Sequence, residues 1–277
     1  HAASFALLAY ASAYIRAHHP SCFLCAMLNN TPLGFYSPAT LVKDAQRHGV
    51  RVLPIDVQSS DWLCHLTQEG AVRLGFRYVD GLRQEAGIRI AAESPFRSAA
   101  DLAQRADLQR DELERLAEIG ACARLGLDRR EAMWQVAALR GGLFSGAQSG
   151  APSPLREMNE LERTVADYRG TGLTTGVHLI AHLREKLREQ GVLSARELRQ
   201  VPDGRWVSIA GAVIVRQRPG TAKGFLFITL EDETGHSNAI VVPDMFQKYR
   251  ALIHSAGLLR IEGKLQNQDG VIHVRAR

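Results

Sequence analysis

Cysteine is scarce. Four residues in 277 are too few to frame a disulfide-stapled fold, and a reducing cytoplasm is the compartment expected of such a chain. No apolar run approaches the roughly 18 residues of a membrane helix and no cleavable leader is visible, so no membrane partner is expected. Aromatic residues make up only 6%. Also missing are G-x-x-x-x-G-K-[ST], G-x-S-x-G and H-E-x-x-H, the spacings of a phosphate cradle, a nucleophile elbow and a zinc protease. No catalytic residue, metal site or cofactor is therefore assigned to the chain itself. An initiator Met is missing too. The sequence opens at His1 inside a helical pattern, as expected of a piece of something longer.

What is present is ordinary globular composition, 45% hydrophobic and 23% charged. Lys and Arg number 34 against 29 Asp and Glu, a net charge of +5 that suits a polyanionic partner. Length suggests about two domains. Helical spacing marks 2–17, 22–29 and 40–48, strand character marks 50–57 and 72–78, and shorter helices are expected at 84–93, 98–105, 111–119 and 129–139. The Gly/Ser/Pro-rich stretch 141–154, GGLFSGAQSGAPSP, reads as a flexible connection. Helices are then expected at 157–169 and at 179–190, the latter with Leu183 and Leu187 inward.

The most informative stretch is RQRPGTAKGFLFITLEDETG, residues 216–235. A basic loop carrying Arg216, Arg218 and Lys223 precedes an alternating run in which Phe225, Phe227 and Thr229 share one face and Leu226, Ile228 and Leu230 the other. With apolar residues on both faces, the strand is expected inside a closed or sandwiched sheet. Strands at 207–215, 225–230 and 237–242, a helix at 244–254 and strands at 258–265 and 271–274 have the order of an OB fold, a small Greek-key barrel that commonly binds oligonucleotides. Gly211 marks a bend in the first strand. From Arg205 onward ten Lys and Arg stand against six Asp and Glu, a net of +4. A basic groove with aromatic platforms is how single strands are held; Phe225 and Phe227 serve either as such platforms or as barrel core.

Further patterns compete with plainer readings. LGFRYVDGLRQEA (74–86) and LERLAEIGA (113–121), the latter followed by Leu125-Gly126, read as tandem helix-hairpin-helix units. Their turns at Gly81 and Gly120 would offer backbone N–H groups to a DNA phosphate. The second Gly customary in such turns is absent, since Arg83 and Cys122 follow. Cys22-Phe-Leu-Cys25 invites a zinc or redox reading, but Cys64 and Cys122 form no second pair, and the apolar context suits cysteines buried as small hydrophobes. Glu231-Asp232-Glu233 reads as a solvated turn. Pro243-Asp244-Met245-Phe246 resembles a clamp-binding peptide, although its place at the start of the barrel helix favours core packing.

The long stretches HAASFALLAYASAYIRAHHPSCFLCAMLNN and FYSPATLVKDAQRHGV resemble the fingers of bacterial C-family replicative polymerases, in their error-prone, damage-inducible branch. The two hairpins, ADYRGTGLTTGVHLIAHLREKL and VIVRQRPGTAKGFLFITLEDETG extend the resemblance to the end. Cys22 and Cys25 replace small residues, and His178-Leu179 stands where His-Pro is usual. The resemblance implies a multi-domain α+β chain: distal fingers at 1–69, hairpins binding duplex DNA at 70–140, a linker at 141–156, a helical connector at 157–204 and an all-β OB barrel at 205–277. It implies a parent DNA-directed DNA polymerase acting in translesion synthesis, whose Mg²⁺-binding palm lies outside these residues. Expected duplex contacts are Gly81, Gly120, Arg77, Arg83, Arg124, Arg129 and Arg130. Arg216, Arg218, Lys223, Phe225 and Phe227 are expected to hold single-stranded template. His1 and Ser4 are expected near the incoming nucleotide. An inactive Y-family-like accessory protein, and through it the sliding clamp, is the partner implied if the barrel binds protein instead.

Overall fold

The computed structural model describes residues 2–34, 36–139 and 153–277. Most of the expected linker, and His1, lie outside the described residues. Two compact units divide the chain, one formed by 1–33 with 41–176 and the other by 34–40 with 177–277.

In the first unit, helices α1 (Ala2–His18) and α2 (Pro20–Asn29) follow one another with His19 between them, and α3 (Pro38–Arg47) enters the unit at Leu41. α1 is apolar, yet none of its residues is buried; Phe5, Leu8, Tyr10 and Tyr14 all face outward. Three two-residue strands make a small sheet: β1 (Val52–Leu53) runs parallel to β3 (Val72–Arg73), and β2 (His65–Leu66) antiparallel to it. The strands expected over 50–57 and 72–78 shrink to these fragments because Pro54 ends the first and a short helical turn, Phe76–Tyr78, takes over the second. Helices α4 (Gln84–Glu93), α5 (Ala99–Arg105), α6 (Arg110–Glu118), α7 (Arg129–Ala138) and α8 (Glu160–Thr171) complete the unit. Their buried faces carry Ile90, Leu102, Leu113, Leu116 and Val136. α8 belongs here: the Asp80 N–H donates to Gly170 O at 2.8 Å and Arg129 pairs with Asp167 at 2.7 Å. The expected connector is thus divided at residue 176.

The second unit begins its main segment with a helical turn, Leu179–Leu183, and α9 (Arg184–Glu189), where one helix was expected. Arg184 is buried there while Leu183 and Leu187 are only half-buried. β4 (Val192–Leu193) and α10 (Ala195–Leu198) lead into the barrel strands β5 (Trp206–Gln217), β6 (Leu226–Glu231) and β7 (His236–Val241). Two short helices, α11 (Pro243–Lys248) and α12 (Arg250–Ser255), stand where one was expected, and β8 (Leu258–Gln268) and β9 (Val271–Ala276) follow. β5 pairs with β6, β6 with β7, β7 with β9, β9 with β8, and β8 again with β5. The sheet is closed. Closure depends on a long first strand that changes partner: residues 206–212 pair with β8 and 212–217 with β6, with a bulge between Val213 and Val215. Gly211 sits at this handover, where a Cβ would lie 2.7 Å from the Glu231 carbonyl oxygen. Leu226, Ile228, Leu230, Ala239, Val241, Leu265 and Val274 fill the interior.

Candidate nucleic-acid interface

In the hairpin region the N-terminus of α4 is tied to the start of α6. Glu112, 1% exposed, accepts the Arg83 backbone N–H and Nε–H on one oxygen, both at 2.9 Å. Its other oxygen accepts Arg83 Nη2 at 2.8 Å and the Gln109 N–H at 2.7 Å. Burial pushes the Glu112 carboxyl up, but the bonds from Arg83 and Gln109 outweigh it and hold it below the usual carboxylate range. Arg83 is therefore a structural clasp rather than a free phosphate ligand. Arg77 is likewise engaged, donating to Asn29 O and Thr31 O. Arg129 pairs with Asp167 and donates to Arg163 O at 3.1 Å.

The turns differ from the sequence expectation as well. Gly120, at φ +80°, closes α6: its N–H donates to Ala117 O and the Ala121 N–H to Leu116 O at 2.9 Å, the double bond pattern of a Schellman cap. Those donors are occupied, so Gly120 offers no phosphate cradle. Gly81 is exposed, in a turn preceded by the three-residue helical turn rather than by a full helix. Arg124 stays accessible, 61% exposed, with Ser59 Oγ at 2.7 Å and Asp56 at 3.6 Å. Arg130 lies 3.7 Å from Glu162. Arg130 and Glu162 are both half-buried, and ion pairs near the surface are worth under about 1 kcal/mol.

On the barrel, β6 alternates from Leu226 to Leu230, and Glu231 beyond it is buried as well. Leu226, Ile228 and Leu230 point inward, Phe227 is 37% exposed and Phe225 half-buried. The strand is half-wet, not buried on both faces, because among the described residues no second sheet covers its outer side. Phe227 is paired with Gln217 on β5 and Ile240 on β7, and Ile240 with Arg275 on β9. Gln217, Phe227, Ile240 and Arg275 thus form one row across four strands, in which side chains of paired residues stand about 5 Å apart. Arg275 is exposed and, among the described residues, makes no side-chain hydrogen bond or ion pair. The row was not nominated from sequence beyond Phe227, since it rests on a parallel pairing between strands that are not sequential.

The loop between β5 and β6 borders this row. Arg216 donates to Ile253 O at 2.7 Å and to Ala256 O, fixing the loop to the end of α12. Arg218 lies 4.6 Å above the Phe246 ring and donates Nε–H to Gly224 O at 3.4 Å. Lys223, in a left-handed conformation at φ +48°, projects from an exposed position. Phe246 is buried beneath Arg218 and Met245 packs against the barrel core, while Asp244 is exposed, so the apolar part of the 243–246 stretch is engaged in core packing.

The acidic turn is not solvated. Asp232, 3% exposed, accepts the Ala195, Thr234 and Gly235 N–H groups and the Thr234 hydroxyl, and pairs with Arg184, which also holds Glu233. Glu231 lies 3.2 Å from His236 Nε2 and 4.0 Å from His178 Nε2. These carboxylates anchor α9 and α10 to the barrel and do not fit a magnesium site. Among the described residues no group of three His, Cys, Asp or Glu side chains is placed to hold a metal ion, and no helix is long and apolar enough to cross a membrane. Ser4 lies on α1, none of whose residues is buried.

A helix-hairpin-helix family model matches residues 49–132, and an OB-fold nucleic acid binding domain model matches 207–277. Over its full length the chain is 45% identical to an error-prone DNA polymerase of Sinorhizobium medicae (strain WSM419) and 46% identical to one of Dechloromonas aromatica (strain RCB). In each case it covers all of this chain and 28% of the relative. Among solved structures, asparaginyl-tRNA synthetase from Pyrococcus horikoshii aligns over 30% of this chain and 20% of its own, at 21% identity and a TM-score of 0.27. Along its whole length, then, the chain is similar to a segment of the error-prone DNA polymerases, and that segment is made of a helical part with a helix-hairpin-helix region followed by an OB-fold domain of a nucleic-acid-binding kind.

Proposed function

We propose that this chain is the DNA-holding part of an error-prone DNA polymerase used in damage-induced translesion synthesis, with its Mg²⁺-dependent chemistry in a palm outside these residues. The observation that carries the reading is the outward row Gln217, Phe227, Ile240 and Arg275 beside the Arg218 and Lys223 loop. An exposed aromatic flanked by cations is what sequence-neutral binding of a single strand requires: a base stacks on the ring and the phosphates meet the charges. A polymerase reads its template by pairing, so its grip must be blind to sequence. In the hairpin region Gly81 and Arg124 are exposed and Arg130 is half-buried beside Glu162; these groups suit backbone contacts to duplex behind the primer end.

The test is fluorescence anisotropy of the chain with single-stranded, duplex and primer-template DNA across a salt series. Salt-steep binding that favours the primer-template supports the reading. Charge reversal at Arg218 and Lys223 should weaken single-strand binding and flatten its salt slope; unchanged affinity and slope would sink the barrel assignment. Absence of DNA binding at low salt, with capture of a Y-family-like accessory protein, would transfer the barrel to a protein-docking role.

A further inference from the structure

The Cys22 and Cys25 pair is used by neither DNA surface, and the expectation that both thiols are buried fails. α2 opens at Pro20, which puts Cys22 on its first turn and Cys25 about one turn further on. Cys22 is exposed and Cys25 half-buried, whereas Cys64 and Cys122 are buried. A rise of 1.5 Å per residue on a helix of 2.3 Å radius places residues three apart with Cα atoms about 5 Å from each other. That separation falls within the roughly 4.4–6.8 Å that a disulfide spans. The surroundings of Cys25 also let it change partner. Its thiol donates to the Cys64 carbonyl at 3.2 Å, but the same carbonyl accepts Asn29 Nδ2 at 2.8 Å, and the Cys64 N–H donates to Asn29 Oδ1 at 2.8 Å. Withdrawing the Cys25 proton therefore leaves no buried acceptor without a donor, and the contact between α2 and residue 64 persists.

We infer that Cys22 and Cys25 form a reversible disulfide at the start of α2, a modification site for exchange with small disulfides such as oxidised glutathione. The Cys22 thiolate attacks one sulfur of the small disulfide, forming a mixed disulfide and releasing one glutathione thiolate, which takes up the Cys22 proton. Cys25, giving its proton to solvent base, then attacks the Cys22 sulfur, forming the internal bond and expelling the second glutathione thiolate, which is protonated in turn. Two protein thiols are oxidised and one glutathione disulfide is reduced to two thiols. Cys64 takes no part, since it is buried and its Sγ accepts the Gly75 N–H at 3.4 Å.

The 277-residue chain is equilibrated in glutathione buffers of increasing oxidised fraction, quenched with an alkylating reagent under denaturing conditions, and its peptides weighed. Two of the four thiols should be lost together, in one peptide joining Cys22 to Cys25, with no glutathione retained and full recovery on reduction. In Cys25→Ser the second step is blocked and one glutathione should remain on Cys22. Four alkylated thiols at every ratio, glutathione retained on Cys22 of the unsubstituted chain, or a bridge to Cys64 would each overturn the inference.

Discussion

Glu112→Gln separates the two roles open to Arg83. Glutamine keeps one acceptor oxygen and replaces the other by an amide donor. If the oxygen that faces the Arg83 N–H and Nε is kept, the Gln109 N–H and Arg83 Nη2 lose their acceptor. A hydrogen bond to a carboxylate contributes about 1.5–3 kcal/mol, and the variant forfeits two of the four that Glu112 accepts. Gln109 is exposed and the Arg83 side chain is 36% exposed, so water recovers part of both bonds, and the net loss is about 3 kcal/mol. Amides of α4 and α6 that exchange through opening of this clasp should then exchange about a hundredfold faster. The pH dependence follows the same sign. The folded-state pKa of Glu112 is depressed, so its contribution is present above the ordinary carboxylate value of about 4.3 and is lost as pH falls through the folded value. In the variant that acid-side loss should be missing. Hydrogen exchange resolved by peptide, and duplex binding on the same samples, decide the matter. Unchanged protection in α4 and α6 together with tighter duplex binding and a salt slope steeper by about one would show that the guanidinium serves DNA, and would refute the clasp.

Three other perturbations bear on the barrel. Phe227→Ala should weaken oligo-dT binding by about 1–3 kcal/mol, the loss of one base stack, with its salt slope unchanged in an anisotropy titration. Arg275→Ala should instead lower that slope by about 0.7, one phosphate contact on a single strand. Gly211→Ala should destabilise the barrel by about 1–3 kcal/mol through overpacking against the Glu231 carbonyl and Leu230 Cβ, read as a lower urea midpoint; an unshifted midpoint would mean that β5 tolerates a side chain where it changes partner.

The barrel strands were legible because period-2 alternation and Gly or Pro punctuation are local signals; Gly211, expected at a bend, keeps its register with Leu259, and the bulge lies further on, between Val213 and Val215. The direction of Phe227 was not legible, since apolar residues occupy both faces of 225–230 and only the absence of a covering sheet decides which face is wet. The row that ends at Arg275 depends on register between β7 and β9, which no local pattern encodes. The hairpin arginines misled for a related reason. Arg83 finds Glu112 29 residues away, and Arg129 finds Asp167 38 residues away; positive charge counted along the sequence does not show which charges the fold has already neutralised. Asp232 failed in the opposite sense, an acidic turn residue that is buried because Arg184 and the α10 backbone converge on it.

The order of the barrel strands also bears on synthesis. β9, the last of the described strands, is inserted between β7 and β8, so neither of those seams is sealed until residues 271–276 have left the ribosome. Until then Leu265, Ala239 and Val241 lack the neighbour that covers them, and β7 and β8 present free edges of the kind that recruit other chains. A chain truncated just before Val271 would carry an open barrel, and holdase chaperones should crosslink to it far more than to the 277-residue chain.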